Sequence, residues 1–330
     1  MKKTLFAALA FFLLTGTSIL SAEETKSGET DSFPWSIYVQ TDLCYSPECR
    51  MLTGGTHYAP ITGIYASFLC RTTLHADYTL NTPLGEHWLL SDANLVAGAA
   101  FELTPVSIKP YAYLSFTPLP FLEFHASAHA GSAWTFFGKN GMEKYNAASG
   151  EYEALTFGKD WYLKASAGAT FQFDTGAIWE GDWTHVVTLA TYTLSYTTLT
   201  GVEDKTPWSW QAISHYMNGL NYDWYFVLGY RLPYKLNIVG VGLELYGYFD
   251  GQFDSAYEKF DGTFMTAELS PLAAMVLDEK NSFNMQFTFK TRRSFLEEHE
   301  NSETSKELLL TKSGTEWFFD SFAFRWTYKF

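Results

Sequence analysis

Beyond its first twenty-two residues the chain contains no run of 18 apolar residues, so a bundle of membrane-spanning helices is excluded. Cysteine is scarce, with three in 330 residues, too few for a disulfide-built secreted scaffold. Basic residues are in deficit: 22 Lys and Arg stand against 36 Asp and Glu, a formal net charge of −14. That balance argues against a nucleic-acid partner, which selects a basic surface. No glycine-rich phosphate loop is present, and neither a cofactor nor a metal is expected. Aromatic residues, in contrast, are abundant at 18%, while the mean hydropathy is only −0.10. Many aromatics without a long apolar run suit strands that alternate apolar and polar side chains.

The first residues carry an address. Lys2-Lys3, an apolar run from Leu5 to Leu14, and a small-residue stretch ending Leu20-Ser21-Ala22 read as a secretory signal peptide. The expected organisation is a signal peptide over 1–22 and one domain over 23–330. No cysteine follows the expected cleavage site to carry a lipid anchor.

Period-two alternation runs through the rest. Phe318, Phe322, Phe324, Trp326, Tyr328 and Phe330 share one parity, and Ser321, Ala323, Arg325, Thr327 and Lys329 the other. A strand places such sets on opposite faces, whereas a helix would scatter Arg325 and Lys329 among the rings. Phe283, Met285, Phe287 and Phe289 oppose Asn284, Gln286, Thr288 and Lys290 in the same way. Similar alternation marks 64–78, 122–130 and 161–174. Strands are predicted at 35–44, 62–80, 93–103, 106–117, 120–134, 160–174, 185–199, 222–232, 235–249, 263–277, 283–292 and 316–330. The fold class is therefore all-β, a closed antiparallel transmembrane β-barrel of about twelve strands. Long connections alternate with short ones, as expected when the long loops face outward. Pro110 and Pro271 fall inside predicted strands and count against them.

The final alternating segment, with Phe324, Trp326, Tyr328 and Phe330, resembles the C-terminal assembly signal of bacterial outer-membrane proteins. The resemblance implies insertion into the cell outer membrane by the barrel-assembly machinery, with outer-membrane lipid as the surrounding partner. The segments His87–Asp92, Leu103–Ser107 and Thr117–Leu122 also resemble poorly characterised spirochaete-type outer-membrane proteins. That second resemblance implies a location more than an activity.

Inward parity nominates Arg71, His75, Glu123, His125, His129, Lys290, Arg325 and Lys329 as lumen-lining residues. Two readings stay open for the cations. They form a basic wall favouring anionic solutes, or they pair with carboxylates such as Asp42 and Asp77 and fill the lumen. His125 and His129 lie about 13 Å apart on a straight strand at ~3.3 Å per residue, too far to share one metal ion. Cys44 and Cys49 flank Tyr-Ser-Pro-Glu and are expected to form a small disulfide loop; Cys70 reads as a small apolar residue. Trp134, Trp208, Trp210 and Trp317 are expected in the aromatic girdle at the membrane interface. No catalytic residue is nominated and an enzyme is not expected. The expected function is a narrow pore for small polar solutes. The alternatives are a surface-binding barrel with a closed lumen and, behind it, an outer-membrane hydrolase.

Overall fold

A computed structural model describes residues 34–87 and 89–330; the expected signal peptide lies outside the described residues. Twelve long strands build one closed antiparallel barrel. They are β1 (Trp35–Glu48), β2 (Gly63–Asn81), β3 (Asn94–Thr104), β4 (Ser107–Leu119), β5 (Leu122–Ala133) and β6 (Tyr162–Asp174). The second half comprises β7 (Val186–Leu199), β8 (Gly219–Arg231), β9 (Leu236–Tyr248), β10 (Thr266–Val276), β11 (Asn281–Phe295) and β12 (Lys312–Lys329). Each strand pairs with its sequence neighbour, and β12 returns to β1 in register from Tyr38 opposite Lys329 to Tyr45 opposite Phe322. All twelve predicted strands are present.

The outer face is apolar and exposed, with Ile64, Phe68, Leu114, Phe171, Leu228 and Phe287 among its exposed side chains. Rings pair across strands there, as Phe283 does with Phe324 at 5.1 Å and Phe287 with Phe322 at 4.9 Å between centroids. The inner face is polar and buried. Such an inside-out distribution suits a barrel whose outer wall meets hydrocarbon.

Both internal prolines are accommodated, and the sheet shows how. The β4–β5 register steps from Ile108 opposite Ser132 to Tyr111 opposite His129. The β10–β11 register steps from Leu269 opposite Phe289 to Leu272 opposite Gln286. Pairing lapses at each proline because the ring has no N–H to give.

A bulge corrects the parity of β12. Thr288 pairs with Ser321 but Phe289 pairs with Phe319, so Asp320 is the extra residue. Above it the faces exchange. Phe319 meets the outward ring of Phe289, while Phe318 turns inward beneath the Arg292 guanidinium at 4.3 Å. Phe318 therefore does not belong with the outward set from Phe322 to Phe330.

The cysteine expectation is also corrected. Cys44 and Cys49 are free and buried. Residues 44–48 continue the extended strand, so the two lie on the order of 16 Å apart at ~3.3 Å per residue, beyond disulfide reach. The Cys49 thiol instead donates to the Phe319 carbonyl at 3.3 Å.

Two glycines let inward side chains span a whole strand. Tyr113 on β4 lies across Gly98 on β3 and donates to Asp77 on β2. His125 on β5 lies across Gly168 on β6 and meets the Thr193 hydroxyl on β7 at 3.2 Å. A Cβ at either glycine would strike the ring. Gly98→Val should therefore displace Tyr113 and lower stability by about 2 kcal/mol or more, from overpacking and a buried acceptor left unpaired. In a Tyr113→Ala background the same change should cost far less. Urea midpoints of heat-modifiable gel mobility check this; equal costs in both backgrounds would refute the crossing.

Candidate functional site

The barrel wall sets the site's position, and the long loops set its roof. Two loops fold together into a four-stranded sheet made from Met142–Asn146, Glu151–Ala154, Trp208–Trp210 and Ile213–Tyr216. Trp208 stacks on Tyr216 at 4.8 Å, and Trp210 on Tyr162 of β6 at 4.7 Å. Both indoles are buried in this packing. The girdle expectation is thus wrong for Trp208 and Trp210. They flank Ser209 within a loop strand of three residues, an alternation far shorter than that of any barrel strand. Nothing local in the sequence says that this strand folds back over the lumen.

Hydrogen bonds fasten the roof to the wall. Gln211 donates through Nε2 to Glu102 Oε1 at 3.1 Å and to Ser107 Oγ at 2.7 Å. The loop after β11 joins through its short helix α1 (Thr304–Glu307). Glu307 lies 3.0 Å from His215 Nε2 and 3.5 Å from His299 Nε2, and His215 Nδ1 meets the Tyr152 hydroxyl at 3.1 Å. Two loops thereby meet at one carboxylate, and a third joins them through Tyr152.

Beneath the roof lies a chamber of about 380 Å³. Arg71, His129, Lys290 and Arg325 line it. The other four nominated residues share the inward parity but lie nearer the short-turn end. His75 is fully buried under the Tyr38 ring, stacked at 4.4 Å, and His129 is stacked in the same way on Tyr111 at 4.6 Å. Glu123, His125 and Lys329 do not line the chamber.

The cations of this wall are paired. Asp42 on β1 accepts from Arg71 on β2 at 2.7 and 2.9 Å and from Arg325 on β12, where Nη2 lies at 3.0 Å. Glu102 on β3 takes Lys109 at 3.0 Å and Arg71 at 3.7 Å. Lys290 meets Glu268 at 3.0 Å. The alternating row Arg325, Asp42, Arg71, Glu102, Lys109 follows from burial, since an unpaired charge inside a wall costs several kcal/mol. The basic-wall reading is therefore corrected: these cations are matched by carboxylates. Among the described residues no group of three or more His, Cys, Asp or Glu is arranged to hold a metal ion.

No protein-family model matches this chain, and no curated protein matches it. Similar solved structures are bacterial outer-membrane β-barrel proteins. The COG4313 outer membrane channel from Pseudomonas putida F1 aligns at a TM-score of 0.47 and 10% identity, over 94% of this chain and 100% of that one. The beta domain of a Bordetella autotransporter aligns at 0.42 and 10%, over 90% and 99%. OmpF of Salmonella typhi, in complex with daunomycin, aligns at 0.34 and 9%, over 90% and 97%. The likeness is one of barrel architecture. A spirochaete-type relationship is not among these findings.

The Glu307 junction gives a pH prediction. Burial pushes this carboxyl upward, but the hydrogen bond with His215 and the nearby His299 ring outweigh it and hold the group at about 2, below its ordinary 4.5. A depressed carboxylate contributes stability above its unfolded value and loses that contribution as pH falls through the folded one. The roof should loosen between about pH 4.5 and 2, seen as rising protease cleavage within 200–218. Glu307→Gln should raise cleavage at neutral pH and flatten the acid response. An unchanged profile in that variant would remove Glu307 from the junction.

Proposed function

We propose that the protein is an outer-membrane channel for small polar solutes, constricted at its long-loop end by the folded loop sheet. The observation that carries this reading is the space of about 380 Å³ retained inside the barrel, lined by charged and hydroxyl side chains together with rings, where a purely structural lumen would be packed shut. The exposed apolar outer wall supports a place in a bilayer, and the long loops would face outward with the short turns in the periplasm. The rival is a surface-binding barrel with a closed lumen, and it draws on the same roof.

Conductance after reconstitution in planar bilayers tests the proposal. Wild-type protein should give small, discrete openings. Replacing residues 208–216 with a short Gly-Ser linker should enlarge the unit conductance severalfold by removing the roof. Openings in the linker variant alone would favour the closed-lumen reading, and silence from both folded proteins would reject the channel.

Assembly is a separate part of the proposal. Phe324, Trp326, Tyr328 and Phe330 form the aromatic edge of the strand that must close the barrel, and Phe330 is highly exposed beside Tyr328 at 5.3 Å. Its backbone N–H bonds to the Ile37 carbonyl at 3.1 Å, a contact independent of its ring. Phe330→Ala should lower outer-membrane abundance several-fold while leaving the folded fraction heat-modifiable. Wild-type abundance would show that the assembly machinery does not read this ring.

A further inference from the structure

The chamber is nearly neutral: its lining carries seven Lys and Arg side chains against six Asp and Glu. It therefore has no strong electrostatic preference for an anion or a cation. Within it, however, Lys164 and the acidic pair Asp223–Glu244 stand apart from the ion-paired row. Lys164 projects from β6, and its ammonium has no hydrogen bond or ion pair among the described residues, whereas Arg71, Lys109, Lys290, Arg292 and Arg325 each hold a carboxylate. Asp223 projects from β8, forms no ion pair among the described residues, and shares a hydrogen bond with the Glu244 carboxyl of β9.

Strand β7 runs between them. It pairs with β6 and β8, placing Thr197 opposite Lys164 and Thr193 opposite Asp223. The inward hydroxyls of Thr193, Ser195 and Thr197 fill the interval and line the chamber. Asn221 donates to the Thr197 hydroxyl at 3.0 Å and fixes that end of the row. The sequence of groups along the wall is thus an ammonium, a short ladder of hydroxyls, and a carboxylate.

We propose that this arrangement is a binding site for small zwitterionic solutes of the free amino-acid class. The solute carboxylate is held by Lys164, its ammonium by Asp223, and its polar backbone by the β7 hydroxyls. A zwitterion offers a partner to Lys164 and to the Asp223–Glu244 pair at once, while a simple anion or cation serves one side only. The volume admits a solute of this size, and pockets of about 300–1,000 Å³ are ordinary for small ligands. As a route, the site rests on the channel reading, but binding is measurable without passage.

The test uses the detergent-folded full barrel with L-serine, acetate and methylammonium as probes, and reads affinity by calorimetric titration or saturation-transfer NMR. L-Serine should bind at least about tenfold more tightly than either single-charge probe. Lys164→Met should weaken L-serine and acetate together by about tenfold or more, the loss of one charge-assisted contact. Asp223→Asn should weaken L-serine and leave acetate unchanged or tighter. A general structural defect would move all probes alike, so this split separates the site from misfolding; heat-modifiable mobility confirms each barrel, with Lys164→Gln as the milder substitute. Absence of L-serine binding to wild type, or equal binding by both variants, overturns the site. Lys164-dependent binding without bilayer conductance would instead retain the site and remove the channel.

Discussion

The structure depends on bringing the last strand back to the first. In hydrocarbon an unpaired strand edge leaves a row of donors and acceptors without water to satisfy them, so a β-sheet is tolerated there only when closed. Residues 38–45 of β1 meet 322–329 of β12 along that seam. At its centre Asp42 takes guanidinium contacts from both neighbours, Arg325 on β12 and Arg71 on β2. The side-chain bridge crosses the seam on the inside, where burial excludes competing water and both charges need a partner. Closure and charge pairing are thus satisfied by the same residues.

From that constraint follows the fate of the other inward charges. A lumen this narrow does not give each polar side chain its own water. The wall from β12 round to β4 resolves the problem by pairing, as Arg325, Asp42, Arg71, Glu102 and Lys109 alternate in sign. It also resolves it by stacking, as Tyr38 covers His75 nearer the short turns and Tyr111 covers His129 at the chamber. The crossings over Gly98 and Gly168 belong to the same economy of space, since a side chain that spans a strand reaches a partner which its own position does not offer.

The strands were legible because their information is local. A period of two over ten or more residues survives in sequence whatever the neighbours are, and even Pro110 and Pro271 disturb it only by interrupting pairing on one side. The errors came where a residue's role is set by distant chain or by a change of count. One inserted residue at Asp320 reverses the facing of Phe318, although the aromatic pattern reads continuously across it. Cys44 and Cys49 are close in sequence, yet the extension of β1 past Tyr45 holds them apart. Trp208 and Trp210 have the alternation of a strand and the address of a loop, and only the folded-in partner strand at Met142–Asn146 explains their burial. Half of the nominated lumen residues reach the chamber because parity identifies a face but not a depth along the axis.

Depth is what separates the two sides of the lumen. The β12-to-β4 wall places its cations and carboxylates on adjacent strands, within contact, and so spends its polarity on itself. The wall from β6 to β8 places Lys164 and Asp223 two strands apart and four register positions out of step along β7, with hydroxyls between. Opposite charges at that spacing attract without touching, and the hydroxyl groups between them are too short to bridge the gap. Space remains for that geometric reason, and the loop sheet covers it from one end without filling it. The retained volume is thus a consequence of register: a carboxylate four residues along β8, at the position of Gly219, would stand level with Lys164 across Thr197, whereas Asp42 and Arg71 meet directly because they face each other on adjacent strands.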